Sequence, residues 1–561
     1  MMPIIMMTFL YYFFLCVLFV ICILKVVHLT QPALLPLLIG KWEVFSFWLL
    51  LCWFLAALFF FVSTYFKRSN LISKKTIMVL GLIFLIGFYL RAFAAPHTER
   101  LYFDEDIYLN IAQNIQSNNQ ALACNNGYIR FGRLHCLEPI LNKEPDGWSF
   151  LLSLALNFAR PEKAGRWLDI FLSSFSILLV FLIGREFLGE RGGLWAAFIY
   201  ALMPIPIKWA PTIEPDTAFT FFLLFSFWIS VLQTKGMKLG YLLFPLLAFT
   251  VQFRPEGVLC LPIILFVLWV DDKGFFKERI NLFFSGLFSI LLIPYGIHLF
   301  SAKAHHWGSK GPVFSTQYFF YNLLTNLRFF VQPFRFPTID IFLCALGFIY
   351  LYQFRTWKSK GLFCGLVLWF ILFFSIYLFF YAGSYNYGVD IRFSLSIHPV
   401  LAVFSSAGVL FLLEWFDKKD FNFTPVMAGL LFTFLLLELP RISIIGQQGW
   451  QARADHNFIT ALARTLSENT VVFTHDPSEL MAAGIGGIQT FRLDSSYLVQ
   501  LLKEREIPYF YFDAWCSTPE FKDQCNKILA KFKLKPVAEN KVQNQNMVQK
   551  LVLYKILGVR K

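Results

Sequence analysis

The run VFSFWLLLCWFLAALFFFVSTYF, Val44–Phe66, carries no charged side chain and is followed at once by Lys67 and Arg68. A helix of that length crosses the hydrocarbon core of a bilayer. Similar runs recur near Ile4–Leu24, Thr76–Ala95, Trp167–Ile183, Leu194–Trp209, Ala218–Val231, Leu239–Val251, Val258–Val270, Ile280–Phe300, Thr338–Phe354, Leu362–Tyr381, Phe393–Leu413 and Pro425–Leu439. They predict a polytopic α-helical membrane protein with about 13 transmembrane helices. Composition agrees: of 561 residues, 57% are hydrophobic and only 15% charged, which excludes a water-soluble enzyme. The first run lacks a basic leading segment and a small-residue cleavage site, so it reads as a retained helix rather than a signal peptide.

The charge balance of +14 is a membrane signature here, not a nucleic-acid one, because the basic residues gather in alternate short loops. Lys67-Arg68 with Lys74-Lys75, Lys235 with Lys238, Lys273 with Lys277 and Arg279, Arg355 with Lys358 and Lys360, and Lys418-Lys419 mark the cytoplasmic side. The outer side then receives residues 96–166, 301–337, 382–392 and everything after Arg441. The division expected is N-terminal helices over 1–95, a first outer loop over 96–166, a helical core over 167–440 and an extracytoplasmic α/β domain over 441–561. In that last segment Val471–Thr474, Ile488–Phe491, Tyr509–Phe512 and Val548–Tyr554 read as strands, and Phe458–Ser467 and Ser496–Arg505 as helices. Gly484, Gly486 and Gly487 lack the spacing of a nucleotide loop and read as a turn. Cys124 and Cys136 in the first outer loop, and Cys516 and Cys525 in the tail, are disulfide candidates in a compartment where disulfides persist.

Three consecutive acids, Asp104, Glu105 and Asp106, open the first outer loop. Ile107, Ile111 and Ile115, with Tyr108 and Ala112 beside them, form a stripe suited to a helix lying along the bilayer surface. The acids at its first turn fit two roles, capping of free N–H groups or catalysis. Glu214-Pro215-Asp216 offers a second acidic point on the same side, again either an N-cap or a partner. Two carboxylates converging there could deprotonate a hydroxyl or hold a divalent cation; no cofactor is otherwise indicated. Arg254 and Arg392, at the outer ends of spans, suit a phosphate at headgroup level or simple pairing with Glu256 and Asp390. His305 and His306 read as loop residues, and the sequon Asn422-Phe423-Thr424 falls on the cytoplasmic side.

In order and spacing these elements resemble the GT-C superfamily of polytopic glycosyltransferases, in particular the family 39-like group of protein O-mannosyltransferases and lipid A aminoarabinose transferases. Asp104-Glu105 with Tyr108 and Ala112 is similar to the group's DExxY…A opening. Lys143-Glu144-Pro145-Asp146-Gly147-Trp148 resembles its (H/K)PP-aromatic stretch, and Arg166 with Asp169 its R-x-x-N/D element. Gly184-Arg185-Glu186-Phe187-Leu188-Gly189 resembles its GRR(L/F)FG turn, Asp216 its second acid, Arg254-Pro255-Glu256 its (T/K)(R/K)PE turn, and Arg392-Phe393 with Pro399 its late RY…P element. Departures are Asp106-Ile107, where relatives carry a basic or proline-containing pair, Glu144 in place of Lys, His or Pro, and two extra spans before the first loop.

The resemblance implies an inverting glycosyltransferase that takes a sugar from a polyprenyl-phosphate carrier to an acceptor hydroxyl on lipid, glycan or protein. Asp104 would be the general base, Glu105 its tuning neighbour and Asp216 the second acid. Arg392, Arg254 and a shifted Lys143 would meet the donor phosphate, and Tyr108 and Trp148 the substrate. The alternatives are a transporter or flippase of lipid-linked sugars, and an oligosaccharide ligase using a pyrophosphate-linked glycan. The expected location is a prokaryotic plasma membrane with the site facing outward.

Overall fold

In the computed structural model, the structure describes residues 34–68, 72–97, 104–302, 311–333, 335–354, 360–385, 390–418, 422–444, 450–467, 469–544 and 547–560. The expected span Ile4–Leu24 and the pair His305-His306 lie outside them. Apolar helices dominate up to Ile444. Large side chains such as Phe59 of the Leu34–Arg68 helix and Met78 and Leu85 of the Lys74–Tyr89 helix stand outward and exposed, the surface a lipid-facing helix presents, while Phe47, Leu50 and Phe61 of the Leu34–Arg68 helix point into the core.

Seven helices among the described residues are long and apolar enough to cross a bilayer, or up to eight if the bent pair Thr316–Val331 and Phe336–Tyr352 is one span. That number counts Pro161–Leu202 once although it holds two of the expected runs, and the expected thirteen is not confirmed among the described residues. Prolines interrupt two of the expected runs, although Arg279–Ala302 still counts as one span. The run Leu194–Trp209 breaks at Met203, extended ahead of Pro204, leaving Pro204–Trp209 as a short separate helix. The run Ile280–Phe300 breaks at Leu292, two residues before Pro294. Gly240–Phe253 and Thr424–Pro440 are apolar but shorter.

The stretch Pro161–Leu202 is a helical hairpin. Gly189 turns the chain at φ +81°, a conformation that a Cβ would strain, and the two arms then pack so closely that a Cβ on Gly184 would lie 3.0 Å from that of Ala196. Arg91, wholly buried, holds the end of the second arm: it donates to the carbonyls of Tyr200 at 3.2 Å and Ala201 at 3.1 Å and to Ser173 Oγ at 2.8 Å. Carbonyls at a helix C-terminus lack partners within the helix, and a guanidinium meets both their hydrogen-bonding need and their negative dipole end.

The strands, β1 Ala123–Cys124, β2 Gly127–Arg130, β3 Arg133–Cys136, β4 Pro139–Ile140, β5 Thr470–Thr474, β6 Gly486–Gln489, β7 Ile507–Phe512, β8 Phe532–Asn544 and β9 Met547–Val559, form two sheets. One is the β1–β4 pair. The other has the order β3-β2-β6-β5-β7-β9-β8, with β5 parallel to β6 and β7 and the outer pairings antiparallel. The first-loop hairpin β2–β3 thus joins the sheet of the C-terminal α/β domain, through Gly127 opposite Gly487. Gly486 and Gly487, expected in a turn, lie in β6 itself; a Cβ on Gly487 would sit 2.8 Å from the Pro477 carbonyl oxygen, so the close approach of the Pro477–Ala482 helix requires glycine there. Cys124 is bonded to Cys136 and Cys516 to Cys525.

Candidate active site

The Asp104–Asn118 helix is not a surface helix. Tyr108, Leu109, Ile111, Ala112 and Ile115 are all buried, because the Gly147–Ala155 helix lies on one side and the C-terminal domain covers another. Asn114 donates to the Leu122 carbonyl at 2.8 Å, Asn110 accepts from Cys124 N–H at 2.6 Å, and Met481 of the domain packs at Asn110. This double burial fixes the first turn, where the three acids stand.

Two contacts tie that turn to the second acidic loop. Glu105 Oε1 accepts the Ile213 N–H at 3.1 Å, and the indole N–H of Trp148 donates to the Ile213 carbonyl at 3.0 Å. Both polar groups of one residue are therefore held by the segment between the Lys74–Tyr89 and Pro161–Leu202 helices. Trp148 is wholly buried, so its ring has no open face for a substrate; in this structure it is a prop for Ile213. Glu105, 1% exposed, likewise points into the fold.

Held in this way, Glu214 and Asp216 face two arginines from later in the chain. Arg392 Nη1 lies 2.9 Å from Glu214 Oε2, and its Nη2 lies 3.5 Å from Asp104 Oδ2. Arg254 donates from Nη1 to Asp216 at 3.1 Å and from Nε to Glu256 at 2.5 Å, and the Tyr377 hydroxyl donates to the same Glu256 oxygen at 2.5 Å. The Phe393 ring lies between the two cations, 5.3 Å from the Arg254 guanidinium carbon and 5.4 Å from that of Arg392, and stacks on Tyr377 at 4.8 Å. Asp169, wholly buried, stands behind Glu105, Glu214 and Asp216.

Exposure separates these acids. The Asp104 side chain is 33% exposed, against 1% for Glu214 and 6% for Asp216. Burial pushes the Glu214 carboxyl well above the ordinary range, with Arg392 pulling the other way and Asp104 and Glu105 adding to the rise. Glu144, partly buried beside Lys143, is pushed up to about 7 by burial, with Arg254 opposing and Asp104 assisting. The Tyr108 hydroxyl is raised by burial and then by Glu144, Glu214 and Asp104.

Asp104, Glu105, Tyr108, Trp148, Asp216, Arg254 and Arg392 thus come together, with Lys143 alongside Glu144, and the countercharge between Asp104 and Asp216 is supplied by Arg392 and Arg254. The sequence reading offered Arg392 a phosphate or pairing with Asp390, named Glu214 with Asp216 as a second acidic point and Glu144 only as a departure, and did not name Tyr377. Glu214 was detectable as the second acid flanking Pro215; the partner of Arg392 depends on how distant helices pack.

Residues 144–298 match a family model described as dolichyl-phosphate-mannose-protein mannosyltransferase. No curated protein matches the chain in sequence. Among solved structures, ArnT from Cupriavidus metallidurans in the apo state superposes with a TM-score of 0.53 at 10% identity, over 85% of this chain and 97% of that one. The archaeal oligosaccharyltransferase AglB from Archaeoglobus fulgidus, in complex with an inhibitory peptide and a dolichol-phosphate, gives 0.50 at 13% identity, over 85% of this chain and 74% of that one. At such identity the likeness is one of fold.

Proposed function

We propose that this chain, whose fold is that of the GT-C superfamily of membrane glycosyltransferases, transfers a sugar from a polyprenyl-phosphate carrier to an acceptor hydroxyl at the outer face of the membrane, with inversion. The observation that carries the reading is the contrast between Asp104, a third exposed, and the buried acids around it, at 3.5 Å from an arginine that Glu214 anchors. A reacting carboxylate must be open to the acceptor. A leaving phosphate must find a fixed cation.

Asp104 takes the proton of the acceptor hydroxyl as its oxygen attacks C1 of the sugar. The C1–O bond to the phosphate breaks, both its electrons leave on the phosphate oxygen, and Arg392 offsets the charge gathering there. Arg254, fixed by Asp216 and Glu256, adds positive potential beside it. Glu105 and Trp148 position the second acidic loop through Ile213, and Glu144, its carboxyl pushed up to about 7, carries less negative charge beside the phosphate than an ordinary carboxylate would. The donor's lipid tail confines it to the bilayer, and the acceptor, lipid, glycan or protein, arrives from the outer side.

The test is transfer of radiolabelled sugar from a panel of polyprenyl monophosphate and pyrophosphate donors by the full-length protein in lipid. Turnover with a monophosphate donor that is lost in Asp104→Asn, with membrane insertion unchanged, supports the reading. Turnover only with pyrophosphate donors identifies an oligosaccharide ligase instead, and binding of the lipids without turnover points to carriage without chemistry.

A further inference from the structure

A second polar cluster lies apart from the arginines. Glu43 stands on the Leu34–Arg68 helix, just ahead of the apolar run that begins at Val44. Asp146 is the residue before the Gly147–Ala155 helix, and His298 lies on the Ile293–Ala302 helix. The three are 2%, 1% and 1% exposed. One ligand atom from each lies within 4.8 Å of the others.

Hydrogen bonding fixes how the imidazole is presented. Nε2 of His298 lies 2.6 Å from the Asn142 carbonyl oxygen, which only accepts, so Nε2 carries a hydrogen. Nδ1 then faces both oxygens of Glu43 at 2.9 Å and Oδ2 of Asp146 at 3.5 Å. Neither carboxylate oxygen of Asp146 has a hydrogen bond, although both are buried. A buried carboxylate without hydrogen bonds is costly unless a cation meets it or it takes up a proton.

We propose that Glu43, Asp146 and His298 bind a divalent transition-metal ion of the zinc class. Two carboxylates facing one imidazolium leave a net negative charge in a buried space; two carboxylates and a neutral imidazole around a divalent ion leave none. The imidazole nitrogen favours zinc or a similar borderline ion over calcium or magnesium, which take oxygen ligands. The Asn142 carbonyl supplies the outer contact that sets the tautomer and ring direction of a metal-bound histidine. The ion joins the N-terminal helix to the loop that carries Lys143 and Glu144, so the site is structural and independent of the transfer chemistry. A second group, His475 with Cys516 and Cys525, has its sulfurs joined in a disulfide and is not the site meant.

The experiment uses full-length protein in lipid nanodiscs, stripped with chelator and then titrated with Zn2+ and, separately, Co2+, without reductant. Wild type is expected to retain about one zinc per chain after desalting, to melt at a higher temperature with zinc than without, and to give visible Co2+ absorption bands from nitrogen and oxygen ligation. His298→Ala and the near-isosteric Glu43→Gln are each expected to lose the bound zinc, the thermal shift and the Co2+ bands. Zinc retention equal in wild type and both variants overturns the proposal, as does a wild type whose melting temperature is unmoved by zinc while Glu43→Gln folds normally.

Discussion

Asp104 and Glu214 meet the same guanidinium from different surroundings, and that difference assigns their work. Glu214 is closed off and sits close to Arg392, an anchor; Asp104 is open and at a longer distance. On the proposed function, Asp104→Asn keeps the shape and removes the proposed base, so turnover is expected to fall by about 10²–10⁴, with the melting temperature nearly unchanged, read by transfer assay and thermal melt on the same preparation. Glu144 gives a prediction in pH. Its folded value of about 7 lies above its ordinary 4.5, so the folded state holds the proton more tightly than the unfolded chain. Stability from this group is full below 4.5 and is lost as pH rises toward 7, at up to about 1.4 kcal/mol per pH unit. Glu144→Gln is expected to flatten that slope and to melt above wild type at pH 8; identical pH profiles for the two proteins would show that Glu144 is not held protonated.

At the scale of elements, the peptide unit at Ile213 is the joint between the two acidic loops. Trp148→Phe keeps most of the buried ring but leaves the Ile213 carbonyl without its donor, an expected loss of about 1–3 kcal/mol, accompanied by lower turnover because Glu214 and Asp216 shift with the loop. A chemical denaturation curve and a kcat on the same sample check both parts. Each disulfide closes a short loop, and serine at both Cys516 and Cys525 is expected to lower stability by about 2–3 kcal/mol, seen as a lower melting temperature. Elements of this kind differ in how far the sequence exposes them. The apolar helices were legible because hydropathy is local, and β5, β7 and β9 because alternation and β-branched residues are local too. β8 was missed, its Lys- and Asn-rich alternation being that of an exposed edge strand, held extended by its pairing with β9. The Asp104–Asn118 helix was legible as a helix, but its stripe could not reveal that a domain far along the chain would bury it. The acids and arginines were each visible beforehand; which acid meets which arginine is decided by the packing of distant helices, and no local pattern encodes it.

For the whole molecule, the sheet that β2 and β3 share with the C-terminal strands makes the C-terminal domain part of the site's support. Beside the strand pairing, ion pairs and buried apolar packing both cross that junction. Arg492 meets Glu138 at 2.6 Å with both side chains at least a third exposed, and Arg130 pairs with Glu506. Beneath them Met481, wholly buried, packs with Cys124 and Leu134 and touches Asn110 on the helix that begins at Asp104. Screened ion pairs between exposed groups contribute about 0–1 kcal/mol, whereas emptying a buried methionine site costs about 2–5 kcal/mol. Arg492→Ala is therefore expected to leave transfer and hydrogen exchange in the Asp104–Asn118 helix close to wild type. Met481→Ala is expected to speed exchange there and to lower turnover, though Met481 takes no part in the chemistry. If both variants behave like wild type, the domain covers the helix without steadying it, and deletion after Arg441 should then leave activity intact; if Met481→Ala alone loosens the helix, the C-terminal domain holds Asp104 in place through its buried contact.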